Sequence, residues 1–343
     1  MRLRAVSAFA AALAAAAASG TAMAQADAVA GFYKGKTVTV VSAGSAGGAH
    51  GVYAQLITAH IKRHLPGDPT IIIQYMPGAG GNKAMNYLFN ATRDDGTFLG
   101  VPLQDLVFSA RIGVKAVKYD PAKAHYLGGA DVTRTTVTVM KASGIRSLED
   151  ARQKEVLMGA SGKSAQPYMI PIVLNEVLGT KFRVVTGYAG INGMHLAMER
   201  GEVHGRATSW QSITSTKKAW IENGMIVNLL TVAMEREPDL PDVPALAELV
   251  TEPNDVALIR LLAGSSVHGR AWIAWGDIPA ARLAALRTAF GKTMSDPAFK
   301  ADAEKRGLEL RPVSWQEQEQ RKNEMMETLP VTVARLKSIL SLN

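Results

Sequence analysis

Cysteine is absent from all 343 residues, which excludes disulfide cross-links and thiolate metal sites and leaves a packed core as the source of stability. No hydrophobic run is long enough to span a bilayer. The most apolar stretch, Ala5 to Ala18 broken only by Ser7, falls short of the ~20 residues a spanning helix needs. There is no G-x-S-x-G elbow, no H-E-x-x-H helix and no acidic cluster arranged for a metal or a glycosidase pair. Dense Lys/Arg runs interleaved with aromatics, the footprint of a nucleic-acid binder, are also missing.

What is present begins with a leader. Arg2 and Arg4 precede the apolar stretch, and Ala22-Met23-Ala24 is a small-x-small cleavage signature before Gln25, so residues 1–24 read as a secretory signal peptide and the mature chain as exported and soluble. Losing Arg2 and Arg4 lowers the formal charge from +8 to +6. A basic exported chain without a nucleic-acid footprint points to small anions as partners.

The stretch from Val38 through Leu56 organises the rest. Thr37 to Val41 is a β-branched run that ends in a loop holding Gly44, Gly47 and Gly48, and Val52, Leu56, Ile57, Ile61 and Leu65 then recur at helical spacing. Glycines let the backbone turn sharply and leave amide N–H groups at the new helix's N-terminus free to face an anion. A tight turn that binds nothing is the other reading of this stretch alone.

The arrangement recurs. Thr70 to Gln74 is a continuous apolar strand, of the kind buried on both sides in parallel sheets, and leads to a glycine loop at Met76 to Asn82. Phe98 to Pro102 is a third strand. Val156 to Gly159 precedes the loop Ala160 to Pro167 and a helix through Ile170, Val173, Leu174 and Leu178. Thr133 to Met140 is strongly β-like, Ser147 to Asp150 a helix start, and Ile226 to Val232 a return crossing. The expected fold is α/β in two domains: residues 25–130 with 229–343, and residues 131–228.

Gly162-Lys163-Ser164 fits the end of a P-loop, but position 157 is Leu157 where the first glycine belongs. Two readings of this loop stay open: a turn in which Ser161 or Ser164 caps backbone donors, or hydroxyls and helix amides that bind a ligand oxygen. His60 and His64 stand at i, i+4 without a third ligand, beside Lys62 and Arg63, and read as a solvated basic face. His50 sits in the first glycine loop, either against a ligand or exposed to water. Tyr188 and Trp210 each follow a strand, the usual side for sites in open α/β sheets, though core packing is the commoner use of both.

In several motifs the chain resembles the substrate-binding receptors of tripartite tricarboxylate transporters, the Bug-type receptors. Met76 to Asn82 is similar to that family's R-P-G-A-G-G-N loop, Asp95-Gly96-Thr97 to its D-G-Y-T turn, and Gly159 to Ser164 to G-S-S-G-x-G-S. Gly187 to Gly190 matches P-Y-K-G, and Leu240 to Leu246 matches L-P-D-V-P-T-x. The resemblance implies a type II, Venus-flytrap periplasmic binding fold that closes over a small organic carboxylate and passes it to integral membrane transporter subunits. It implies ligand contacts from Ser45, Gly47, Gly48 and His50, from Gly78, Ala79, Gly80 and Gly81, from Ser161 and Ser164, and from Tyr188, Thr208, Ser209 and Trp210. It implies a monomer in the periplasm with no catalytic residue, cofactor or metal. One departure stands out: the family's first loop reads G-G-G-x-D, whereas Gly51 stands here in place of the acid. Two rivals remain, an exported hydrolase using Ser161 or Ser164 with a histidine, and a module that presents ligand to a signalling receptor.

Overall fold

The computed structural model describes residues 25–163, 165–188 and 190–342; the expected signal peptide lies outside them, as do Ser164 and Ala189. Ten strands form two five-stranded sheets among the described residues. β1 (Thr37–Ser42), β2 (Thr70–Tyr75), β3 (Phe98–Val101), β4 (Ala124–Gly129) and β10 (Ala271–Trp275) make the first, in the order β2-β1-β3-β10-β4. β5 (Thr135–Met140), β6 (Val156–Gly159), β7 (Phe182–Val185), β8 (Gly205–Ser209) and β9 (Ile226–Thr231) make the second, in the order β7-β6-β8-β5-β9. In each sheet three neighbouring strands run parallel, and the fourth, β10 or β5, is antiparallel and arrives from a segment that crosses between the sheets.

Each sheet is covered on both faces, as parallel strands require. Val38, Val40, Leu56, Trp272 and Phe290 form one core of the first sheet, and Val41, Met85, Leu88, Tyr126 and Ile273 the other. Gly100 lets Leu88 and Ile273 of the second core close over β3, because a β-carbon there would stand 2.6 Å from Leu88 Cδ2 and 2.8 Å from Ile273 Cγ1. The second sheet packs Val137, Val156, Met158 and Leu174 on one face, and Met140, Met198, Val203 and Trp220 on the other.

Two expectations change. β2 is an edge strand: Ile71 and Ile73 pack inward while Ile72 is 49% exposed. An unbroken apolar run has no alternation to reveal that one side is open. The expected boundary at residue 229 falls inside β9, which is hydrogen-bonded to β5. Leu258, Ile259, Val333 and Leu336, from helices Pro253–Gly264 and Pro330–Ile339, share the second sheet's core. An apolar helix face says that a helix is covered, not which sheet covers it.

The two lobes join at crossings 130–134 and 232–270. The first is hydrogen-bonded to the end of the second, with Thr133 N donating to Ser266 O at 2.8 Å and Ala130 N to Arg270 O at 3.3 Å.

Candidate binding site

The loops after β1, β2 and β6 leave the carboxyl ends of the parallel strands, where open α/β sheets place ligands. After β1 the chain makes a turn closed by Gly48 N donating to Ser45 O at 3.1 Å, and helix Ala49–Ile61 begins with Gly48 as an N-cap without a side-chain cap. The first N–H groups of a helix lack intrahelical acceptors, and among the described residues those of Ala49, His50 and Gly51 have no other acceptor. Gly44 is required by His50, whose Cβ would lie 2.7 Å from a β-carbon at 44.

Gly51 accounts for the departure from the family loop. The carbonyl oxygens of Ser45 and Ala46 fold against its α-carbon, and a β-carbon would stand 2.8 Å from Ala46 O and closer still to Ser45 O. This loop shape therefore excludes an acid at 51, and the site is without a negative charge there.

The second loop turns through four consecutive residues of positive φ: Gly78 at 133°, Ala79 at 48°, Gly80 at 62° and Gly81 at 88°. Only Ala79 carries a β-carbon, at a cost of about 1 kcal/mol. Buried Asn82 pins the turn: its Nδ2 donates to Ala79 O at 2.8 Å, and its Oδ1 accepts from the Tyr119 hydroxyl at 2.9 Å. The third loop leads to helix Gln166–Leu178, whose N-cap is Ala165 with no side-chain cap. Ser161 is exposed and is not the N-cap of this helix, and among the described residues it makes no side-chain hydrogen bond to a histidine or carboxylate. Ser164 is outside the described residues. Gln166 ties the lobes instead, accepting from Gln104 Nε2 at 3.3 Å and donating to Ser265 Oγ at 2.9 Å.

The first loop faces the second lobe at close range. A β-carbon at Gly47 would stand 4.0 Å from Asn192 Nδ2, and one at Gly48 4.0 Å from Ile191 Cγ2, both in the first turn of helix Gly190–Glu199. Tyr188 is partly buried beside Gly159, with Cε2 3.6 Å from where a β-carbon would sit. Trp210 packs its buried ring with Met140, Met198 and Val203, and its backbone N–H donates to Arg134 O at 2.7 Å. Thr208 is buried, and its hydroxyl has no partner among the described residues.

A buried ionic group between His50 and Ser209 escaped the sequence reading. Arg270, at φ 54°, donates from Nη2 to Ser209 Oγ at 3.1 Å and sets Nη1 3.2 Å from both ring nitrogens of His50. Burial, with the Arg270 charge beside it, drives the His50 pKa well below the usual imidazole range, so His50 is neutral. Arg134, 1% exposed, pairs with Asp239 and Glu309. Asp131 is fully buried, neither carboxylate oxygen has a hydrogen-bond partner among the described residues, and burial pushes its pKa up to about 6 despite the pull of Arg270 and Arg134. The available signals were an arginine inside a β-like run at Arg134 and one immediately before an apolar strand at Arg270. Neither announces a site by itself.

His60 and His64 are not a solvated face. They bond to Asp302 at 3.1 Å and Asp296 at 2.8 Å, both from around helix Pro297–Lys305. A hollow of about 390 Å³ lined by Leu283, Arg287 and Trp315 contains none of the residues of the three loops.

No protein-family model and no curated protein matches the chain. Among solved structures, the periplasmic binding protein BugD aligns with a TM-score of 0.68 at 16% identity, over 90% of this chain and 98% of BugD. A Rhodopseudomonas palustris protein solved with adipate aligns at 0.67 and 20% identity, over 89% of this chain and 97% of its own. MatC from the same organism, with bound malate, aligns at 0.63 and 20% identity, over 89% and 99%. The chain has the two-lobed fold of the Bug-type periplasmic binding proteins.

Proposed function

Starting from that fold, we propose that the chain is an exported, monomeric solute receptor that closes two lobes over a small organic carboxylate and delivers it to a membrane transporter. The observation that carries this reading is the close approach of the first glycine loop to Asn192 and Ile191 of the second lobe, with Arg270 beside His50 and bonded to Ser209. Unfilled helix donors and a guanidinium suit an anion, and the exclusion of an acid at Gly51 keeps negative charge out of the loop. The neighbours solved with adipate and malate support the same ligand class. No covalent chemistry is needed.

The lobes move as units about the crossings at 130–134 and 232–270. An open form captures the acid, and closure removes water so that the same hydrogen bonds act in a lower dielectric. A ligand stabilises the closed form by its preference for it over the open one.

Thermal unfolding of the mature chain against a panel of organic acids that includes adipate and malate tests the proposal. An acid at a hundred times its dissociation constant adds about 2.7 kcal/mol to stability. A panel in which no acid raises the midpoint overturns it.

A further inference from the structure

Arg270 leaves a strained left-handed turn and reaches the start of helix Ala49–Ile61, with its guanidinium carbon 5.3 Å from the Tyr53 ring centroid and Nη1 3.2 Å from both His50 ring nitrogens. Tyr53 and His50 are one turn apart on helix Ala49–Ile61, so the first lobe holds the group from two sides. Nη2 meets Ser209 Oγ of the second lobe at 3.1 Å. Backbone strain in a residue other than glycine gathers where a side chain has to be aimed.

Counting protons at Ser209 decides what this corner offers an anion. A hydroxyl has one proton. Ser209 Oγ gives it to Gln211 Oε1 at 2.9 Å, and its lone pair accepts from Arg270. Nothing remains on Ser209 to donate to a carboxylate. His50 is neutral and brings no charge. Arg270 has five N–H donors; one goes to Ser209, Nη1 is shared between two ring nitrogens rather than aimed at one lone pair, and Nε is buried with no partner among the described residues.

We propose that Arg270 is the residue that recognises the ligand's carboxylate, Nη1 exchanging its contact with the His50 ring for a carboxylate oxygen while Ser209 holds Nη2. This rests on the carboxylate-receptor reading and sharpens it: discrimination between a charged acid and its neutral amide lies in Arg270. Because the guanidinium is rooted in the first lobe and bonded to the second, an acid seated on it touches the group that joins them.

Calorimetric titration of the mature chain with adipate, malate and the diamide of each, alongside Arg270→Gln and Arg270→Lys, tests the assignment. Arg270→Gln is expected to bind the acids about 10- to 100-fold more weakly, the worth of a lost charge-assisted hydrogen bond, with amide binding little changed, so that the acid-to-amide ratio collapses. Arg270→Lys keeps the charge without the fork and restores part of the ratio. Melting curves report folding, and where Arg270→Gln does not fold, the lysine variant decides. An acid-to-amide ratio equal to the parent's in the folded variants overturns the role of Arg270 alone. A parent chain that binds no acid of the wider panel overturns the receptor reading and this assignment together.

Discussion

Gly269 crosses Thr133 so closely that a β-carbon on it would stand far inside contact distance of the Thr133 nitrogen and hydroxyl, and 2.7 Å from the carbonyl carbon of Val132. The two crossings between lobes pack backbone on backbone here. Gly269→Ala is therefore expected to lose about 2 kcal/mol or more, because backbone cannot step aside as a side chain can. Urea unfolding measures it, and a variant as stable as the parent would show that the crossings are looser than their geometry.

Restoring the family's acid should do harm. In Gly51→Asp the new β-carbon meets Ser45 O and Ala46 O, so the loop must rearrange, at a cost of about 1–3 kcal/mol, and its helix donors shift with it. The expected outcome is a lower melting midpoint together with weaker binding of adipate or malate. Tighter binding at unchanged stability would refute the steric account.

Asn82 is the pin of the second glycine turn. Asn82→Ala removes two side-chain bonds, to Ala79 O and from the Tyr119 hydroxyl, while the Asn82 backbone N–H still reaches Ala79 O and the hydroxyl can still donate to Leu106 O, so the expected loss is about 1 kcal/mol, that of ordinary hydrogen bonds rather than of orphaned groups. Faster amide hydrogen exchange over residues 78–82 is expected along with it. Unchanged exchange there would mean that the backbone holds the turn by itself.

Asp131 sets a pH signature. Its carboxyl titrates near pH 3.9 in an unfolded chain but is raised to about 6 in the fold, so between these values the folded state binds more protons and its stability falls as pH rises from about 4 to about 6. Asp131→Asn lacks this loss. The stability of the variant relative to the parent should grow across that window by on the order of 2 kcal/mol and level off above it. His195, pulled down to about 3 by burial and by Arg206, acts in the opposite sense, but it is present in both chains and cancels in the difference. Parallel urea midpoints from pH 4 to 7 would sink the assignment.

The three strand-loop-helix units around Gly47, Gly80 and Ser161 were legible in the sequence because each is local. A β-branched run, glycines and a helical repeat within about 20 residues dictate a turn whatever the rest of the chain does. The capping of helix Leu148–Gln153 by Ser147, with Asp150 reaching back, was legible for the same reason. The role of Ser161 was not, since a serine near a helix start looks alike whether it caps or, as here, Ala165 holds that position.

Composition and local pattern alone thus determined an α/β chain of basic charge, without disulfides, carrying glycine turns suited to an anion. Only the tertiary structure decided that β2 is an edge, that helices Pro253–Gly264 and Pro330–Ile339 cover the second sheet, and that Arg270 meets His50 and Ser209. Those pairings join residues 61 and 220 positions apart. They exist because β10 inserts antiparallel between β3 and β4, a choice made by the summed packing of two cores and written in no single stretch of the chain.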